Sequence, residues 1–463
     1  MDLGLSFFGA AQTVTGSKFL LDLEGRYVLI DCGLFQGVRD QRIQNWENLP
    51  IDPSAIQAVI LTHAHLDHTG YLPLLIKKGF KGTIFCTDPT KAITELILVD
   101  AAHIQEEEAM KALREGYSRH TNPQPLFDTN DAKRVFPHLN SIPLSTWREL
   151  FAHCRFRLIH SGHILGSAIV EIDYQGTRIV FTGDLGRKKP ILLDPPVTCS
   201  SADYLIIEST YGDRKHSTEP VQQTLTRIIK ETLARGGDLI IPSFAIGRTQ
   251  DLLFLFSELK RRKQIPDLPI YLDSPMGIEA TEIFYRFSEW HKLNSSQVKQ
   301  MEKAAMMMAD SKGSKMIRNI RRPKIIIAGS GMVTGGRILE HLKKSLPEEK
   351  NTVLLVGYQA AGTRGRQIRD RSPEIKIQGN YFKNRAHVEE VTTLSAHADQ
   401  PEMLTWLRGF SKKPLKTFIV HGEPQASDAL RVKIEHSLGW ECHIPKPFET
   451  VSLSLKNKRS RSS

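Results

Sequence analysis

No run in this chain approaches the ~18 consecutive apolar residues that a membrane-crossing helix needs, so no membrane association is expected. Cysteine is scarce and unpatterned. The five, Cys32, Cys86, Cys154, Cys199 and Cys442, are odd in number, widely scattered and contain no Cys-x-x-Cys pair, so they read as reduced cytosolic thiols rather than a disulfide framework. Met1 to Ala10 carries acidic Asp2 and no basic stretch, and no signal-type cleavage pattern follows, so the expected location is cytoplasmic. Internal repeats are also lacking. What is present is ordinary for a soluble globular protein: 463 residues, 40% hydrophobic and 24% charged, a length at which two domains are the default.

The net charge of +11 is unevenly spread. Residues 211–394 hold 31 Lys and Arg against 20 Asp and Glu, while the other residues balance at 31 against 31. A localised basic excess suits a polyanion partner, with a solvated lysine-rich face as the alternative.

The densest chemistry lies in His63-Ala64-His65-Leu66-Asp67-His68, directly after the apolar run Ala58 to Leu61. Imidazole nitrogens and carboxylate oxygens together suit Zn²⁺ or a similar borderline divalent ion. Ligands this close along the chain do not comfortably surround one tetrahedral ion, so two adjacent ions sharing the motif is the expectation. A chance cluster of histidines is the alternative. Cys32, beside Asp31, is either a further ligand or a buried small apolar residue.

Residues 1–210 alternate short β runs with turns, as in Leu3 to Phe8, Lys18 to Leu23, Arg26 to Asp31, Thr83 to Cys86, Arg178 to Thr182 and Tyr204 to Glu208. Glu24-Gly25 and Gln175-Gly176 mark hairpins. From about 211 helices alternate with strands, which indicates a parallel α/β sheet, and near 392 β runs return, beginning with Thr392 to Leu394. The expected organisation is therefore one domain from 1–210 and 395–463, interrupted by an inserted domain at 211–394. The basic tail, Lys456, Lys458, Arg459 and Arg461, is expected to be disordered.

Further polar residues sit in glycine-bearing loops after strands: His163 in Ser161-Gly162-His163, Asp184 in Thr182-Gly183-Asp184, and His421 in Val420-His421-Gly422. His160, three residues before His163, and His103, His120, His387 and His436, which lack that context, are read as ordinary side chains. With these motifs in order, the chain resembles the metallo-β-lactamase superfamily and, within it, the β-CASP nucleases. The superfamily resemblance rests on Asp31, His63 to His68, His163 and Asp184. The β-CASP resemblance adds Glu208 in Glu208-Ser209-Thr210-Tyr211-Gly212, His397 in Ser395-Ala396-His397, and His421, together with Pro242 to Arg248 and Gly357 to Thr363 of the insert.

The resemblance implies an α/β fold, an αββα sandwich with an inserted parallel α/β domain. It implies two Zn²⁺ per chain, one held by His63, His65 and His163 and the other by Asp67, His68 and His421. Asp184 would bridge them, and Asp31 would orient the ligand loops. It further implies hydrolysis of single-stranded RNA, endonucleolytic, 5′→3′ exonucleolytic or both, with Asp67 holding a proton of the attacking water and His397, oriented by Glu208, acting as the acid for the leaving oxygen. RNA is preferred to DNA because RNA-processing members carry histidine at the position matching His421. The chain resembles the compact form, similar to the catalytic half of the pre-mRNA 3′-end endonuclease and its bacterial homologues; monomer and homodimer both stay open.

For the substrate grip, the loop Gly329 to Gly336, including Ser330 and Gly331, follows a strand and opens a helix, a geometry that favours phosphate. Thr363, Arg364 and Arg248 lie in comparable loops and are candidates for phosphate pairing, or else ordinary surface residues. Two rival readings are a small-molecule hydrolase such as a lactamase or thioesterase, and a catalytically silent RNA-binding subunit.

Overall fold

The structure, a computed structural model, describes residues 3–115 and 122–456. His120 and the tail residues Lys458, Arg459 and Arg461 lie outside the described residues. The chain divides into two compact units, Met1–Lys215 with His397–Ser463, and His216–Ala396.

The first unit is built on two seven-stranded sheets. One runs in the order Thr450–Leu453, Leu3–Phe7, Phe19–Asp22, Tyr27–Ile30, Ile56–Ile60, Thr83–Cys86, Leu139–Ser141; the other runs Cys442–His443, Lys416–Val420, Tyr204–Glu208, Thr177–Phe181, Ala168–Tyr174, Cys154–His160, Arg148–Phe151. Period-two alternation sends Leu3, Leu5 and Phe7 of the first sheet into one core with Phe156, Leu158, Ile172, Phe181 and Phe418 of the second. Phe7 meets Phe418 at 5.5 Å between ring centroids, and Phe19 meets Phe181 at 6.0 Å. The opposite face of the second sheet, with Ile169, Val180, Leu205 and Ile419, is covered by the helices Gln400–Leu407 and Pro424–Leu438 through Met403, Trp406, Leu430 and Ile434. The resulting layers are those of an αββα sandwich.

Both expected hairpins form. Glu24 and Gly25 take φ of 58° and 86°, and Gln175 and Gly176 take 50° and 81°, the positive pair that lets a two-residue turn follow the right-handed twist of its strands.

The second unit is a parallel six-stranded sheet in the order Met306–Met307, Ile270–Asp273, Ile325–Ala328, Leu239–Pro242, Thr352–Leu355, His387–Glu390, plus the hairpin Glu374–Ile377 with Asn380–Lys383. One expectation is corrected here. Thr392–Leu394 is a 3-10 turn and not a strand, because the sheet's edge is taken by His387–Glu390, whose pairing ends where Val391 N donates to Leu355 O.

Phe418→Ala, which empties the contact with Phe7, is expected to destabilise the sandwich by about 3–5 kcal/mol, read as an earlier urea midpoint in near-UV circular dichroism. Val432→Ala, on an exposed helix face, is expected to shift the same midpoint by less than about 0.5 kcal/mol.

Candidate metal centre

The ligand candidates sit where strands end. Asp31 follows Tyr27–Ile30, His63 to His68 follow Ile56–Ile60, and Asp184 follows Thr177–Phe181. His163 follows Cys154–His160, and His421 follows Lys416–Val420. Asp67 and His68 lie on a single turn of helix, Leu66–Thr69, too short to hold its own shape. Backbone stitching holds it instead: Ser17 N donates to Asp67 O, Cys32 N to His68 O, and Leu34 N to Leu66 O. Gly33 is required in that stitch, since a Cβ there would fall 1.6 Å from Asp67 O. Lys18, buried and lowered by its burial to about 8, donates to Gly16 O and to Gly33 O at 2.6 Å.

The hydrogen-bond network sets the imidazole tautomers. Asp31 Oδ2 lies 2.7 Å from His68 Nδ1, so that nitrogen carries the proton and Nε2 turns its lone pair inward. The Thr62 hydroxyl donates to Asp31 at 2.8 Å and therefore accepts from His63 Nδ1 at 3.0 Å. Thr210 plays the same part for His421, its Oγ1 standing 3.0 Å from Nδ1 while the hydroxyl donates to His421 O. Sequence reasoning passed over Thr62 and Thr210; each is adjacent to, or within two residues of, a residue it did identify, and that adjacency was the available signal.

Two donor sets result. His63 Nε2 and His65 Nδ1 are 3.1 Å apart, His65 Nδ1 and His163 Nε2 3.2 Å, and Asp184 Oδ2 is 3.4 Å from both His63 Nε2 and His163 Nε2. In the other, His68 Nε2 and His421 Nε2 are 3.3 Å apart, Asp67 Oδ2 lies 3.4 Å from His421 Nε2, and Asp184 Oδ1 lies 3.5 Å from His68 Nε2. Ligand atoms about 2.0–2.1 Å from a tetrahedral zinc ion stand about 3.3–3.4 Å from one another. The spacing of nitrogen and oxygen donors in both sets therefore fits zinc, with Asp184 offering one oxygen to each. No cysteine enters either set among the described residues; burial and the Asp31 carboxylate push the Cys32 thiol up to about 12, against the pull of Lys18.

Protonation agrees with that use. Burial, and then the neighbouring imidazoles, push His63 well down, and burial brings His65 to about 4, so both present lone pairs. Against its own burial, His68 rises to about 10 beside Asp184 and Asp31; a metal entering there displaces a proton. Burial would raise Asp67, yet the facing His421 and His68 rings hold it below the usual carboxylate range.

Beside the donors stands a pair of another kind. His397 Nδ1 is 3.1 Å and 3.2 Å from the two Glu208 oxygens and 3.8 Å from Asp184 Oδ2. Glu208 also accepts from Leu185 N at 2.6 Å and Thr210 N at 3.2 Å. Burial pulls His397 down, but Glu208 and then Asp184 outweigh it and its affinity for the proton is raised; Glu208 is correspondingly lowered despite burial. The side chains of His397 and Asp67 are 15% and 19% exposed, against 2% for Asp184, so these two form the open side of the centre.

The discounted histidines stay apart. His160 Nε2 reaches Asp194 O at 3.0 Å, and His103 stands 3.6 Å from Glu106. In the second unit, Arg248 is buried and bonded to Asp251 at 2.6 Å. Arg364 donates to the carbonyls of Thr334 and Lys376. Ser330 accepts from Thr334 N, Gly331 lies under the Phe244 ring, and Thr363 caps the helix Arg364–Arg369. Both guanidinium groups thus bond to partners within the unit.

Thr62→Val, which keeps the side-chain shape and removes the relay from Asp31 to His63, is expected to weaken zinc affinity about 10- to 100-fold, measured by competition with a chromogenic chelator. Gly33→Ala is expected to lower bound zinc in the same assay while leaving far-UV circular dichroism unchanged.

Residues 14–234 match the metallo-beta-lactamase superfamily, 249–368 the Beta-Casp domain, and 383–445 the Zn-dependent metallo-hydrolase RNA specificity domain. The chain is 36% identical to Ribonuclease TTHA0252 of Thermus thermophilus over 91% of its own length and 94% of that protein's. It is 30% identical to an RNase J-like protein of Methanocaldococcus jannaschii, covering 95% of this chain and 97% of the other. With the transcription termination factor FttA of Pyrococcus abyssi it shares 31% identity over 96% of this chain and 70% of that protein. A crystal structure of a protein of unknown function from Enterococcus faecalis superposes with a TM-score of 0.53 at 11% identity, covering 98% of this chain and all of that one, and so shares the fold. Sequence and architecture together make the chain a metal-dependent hydrolase that belongs to the β-CASP family of the metallo-β-lactamase superfamily.

Proposed function

We propose that the protein is a ribonuclease that hydrolyses phosphodiester bonds of single-stranded RNA at a pair of zinc ions. The reading is carried by one observation: two zinc-spaced donor sets share Asp184, and a proton-holding His397 stands 3.8 Å from that same carboxylate. The similarity to proteins named ribonuclease supports it.

His63, His65 and His163 would hold one ion, Asp67, His68 and His421 the other, with Asp184 between them. Bound there, the metals lower the pKa of water and neutralise charge on the phosphoryl oxygens. Asp67, on the open side, accepts a proton from the attacking water. His397 gives its proton to the leaving ribose oxygen. Glu208 fixes the His397 ring through Nδ1, which leaves Nε2 as the atom that donates, and keeps it cationic until then. Asp31 orients His68 directly and His63 through Thr62. Cleavage is endonucleolytic, 5′→3′ exonucleolytic, or both.

Labelled single-stranded RNA is expected to be cleaved by the zinc-loaded protein, and its DNA counterpart to be spared. A chelator should abolish cleavage and added Zn²⁺ restore it. His397→Ala should lower kcat about 10²- to 10⁴-fold with bound zinc unchanged. Faster hydrolysis of a β-lactam or thioester than of RNA would overturn the reading. RNAs bearing 5′-monophosphate, 5′-triphosphate or 5′-hydroxyl separate the modes: mononucleotides released only from the monophosphate mark a 5′-end exonuclease, and internal fragments from all three mark an endonuclease.

A further inference from the structure

The basic excess of the second unit is concentrated in one layer. The helices Ser311–Asn319, Ile338–Ser345 and Arg364–Arg369 and the strand Glu374–Ile377 all send apolar side chains, Ile317, Leu342, Ile368, Ile375 and Ile377, into a single core cluster over the parallel sheet. They therefore lie side by side, and their outward faces form one surface. Lys344 Nζ donates to Arg318 O and Lys343 Nζ to Gln378 Oε1, which joins the first helix, the second helix and the hairpin turn along that surface.

Segments 311–322, 338–345 and 364–385 hold fourteen Lys and Arg against three Asp and Glu, whereas the whole unit, 216–396, holds 29 against 19. The remainder of the unit is balanced, fifteen against sixteen. Two of the three acidic residues of the layer are paired within it, Asp370 by Arg366 and Arg369 and Glu340 by Lys343, and Glu374 stands opposite Lys383 in the hairpin register. Lys312, Lys315, Arg321, Arg322, Lys376, Lys383 and Arg385 are exposed.

The hairpin adds an aromatic group to this field. Its register puts Lys376 opposite Tyr381 and Glu374 opposite Lys383 on the outer face, with Ile375 opposite Phe382 on the inner one. Tyr381 is 65% exposed, and Lys376 Nζ lies 5.4 Å from its ring centroid. A polyphosphate strand needs cations spaced along its backbone, and an unpaired base needs a π face; basic residues interleaved with an exposed aromatic side chain supply both.

We propose that this layer is a second RNA-binding surface, an accessory track that grips single-stranded RNA through Arg321, Arg322, Lys376 and Lys383 and stacks a base on Tyr381. The proposal deepens the ribonuclease reading and rests on it for the choice of RNA. An RNA that fills the track gains affinity over one too short to occupy it.

The test uses the full zinc-loaded chain and a variant carrying Arg321→Glu, Arg322→Glu, Lys376→Glu and Lys383→Glu, with Tyr381→Ala as a second, uncharged variant. For a fluorescein-labelled RNA of about 30 nucleotides, the four-charge variant should raise Kd and KM at least about tenfold with kcat unchanged, and flatten the slope of log K against log salt by about 3, at about 0.7 per phosphate contact. An RNA of about five nucleotides should be cleaved equally by both proteins. Tyr381→Ala should weaken long-RNA binding about five- to tenfold without changing the salt slope. Unchanged binding and slope in both variants would overturn the proposal, as would a change in oligomeric state with RNA binding intact, which would assign the face to a protein contact. Binding lost with the charges in a wild type that binds RNA but does not cut it would leave this surface standing and sink the ribonuclease reading instead.

Discussion

Five imidazoles packed nitrogen to nitrogen at 3.1–3.3 Å, with carboxylates closing the gaps, repel one another unless a shared cation takes up their lone pairs. That requirement organises the first unit. Burial strips the rings of water and lowers the proton affinity of His63 and His65, and the relays from Asp31 through Thr62 and from Thr210 turn the Nδ1–H groups of His63 and His421 outward. The lone pairs of His63, His68 and His421 converge because Thr62, Asp31 and Thr210 engage the opposite nitrogen of each ring. Asp184 sits at the junction, and the tight glycine contacts near it follow: a Cβ on Gly183 would come within 2.5 Å of Thr62, and one on Gly186 within 2.1 Å of Gly162 O.

The same constraint explains why the sandwich is built as it is. Ligands from distant parts of one chain meet at strand ends only if the strands lie in register, and the core of Phe7, Phe19, Phe181 and Phe418 fixes the two sheets against each other. Tyr204–Glu208 pairs in parallel with Lys416–Val420, so that Glu208 lies beside Val420 and just ahead of His421. The chain between them folds into a separate unit around its own parallel sheet. The two units thereby have separate cores, each with its own packing.

Much of the strand pattern was legible, because apolar alternation and Gly-bearing turns are local signals; Thr83–Cys86 and Tyr204–Glu208 appear with the bounds read from sequence. The 28-residue helix Asp88–Glu115 was not read. It is buried along only part of its length and carries little amphipathic contrast, so its periodicity is weak. His387–Glu390 was missed as a strand because a half-polar edge strand looks like a loop until a neighbour pairs with it. The arginines of the insert were noticed for their charge, and only packing showed that Arg248 and Arg364 are committed to Asp251 and to loop carbonyls.

The sequence by itself determined the chemistry of the donors, since His and Asp at glycine-bearing strand ends suit a borderline divalent ion, and it determined that the excess charge lies in the middle of the chain. Tertiary structure alone decided which oxygen of Asp184 faces which set, which nitrogen of each histidine points inward, and which basic residues share a surface. Those depend on distances between groups up to about 350 positions apart in the chain, and such distances are set by how sheets and helices pack.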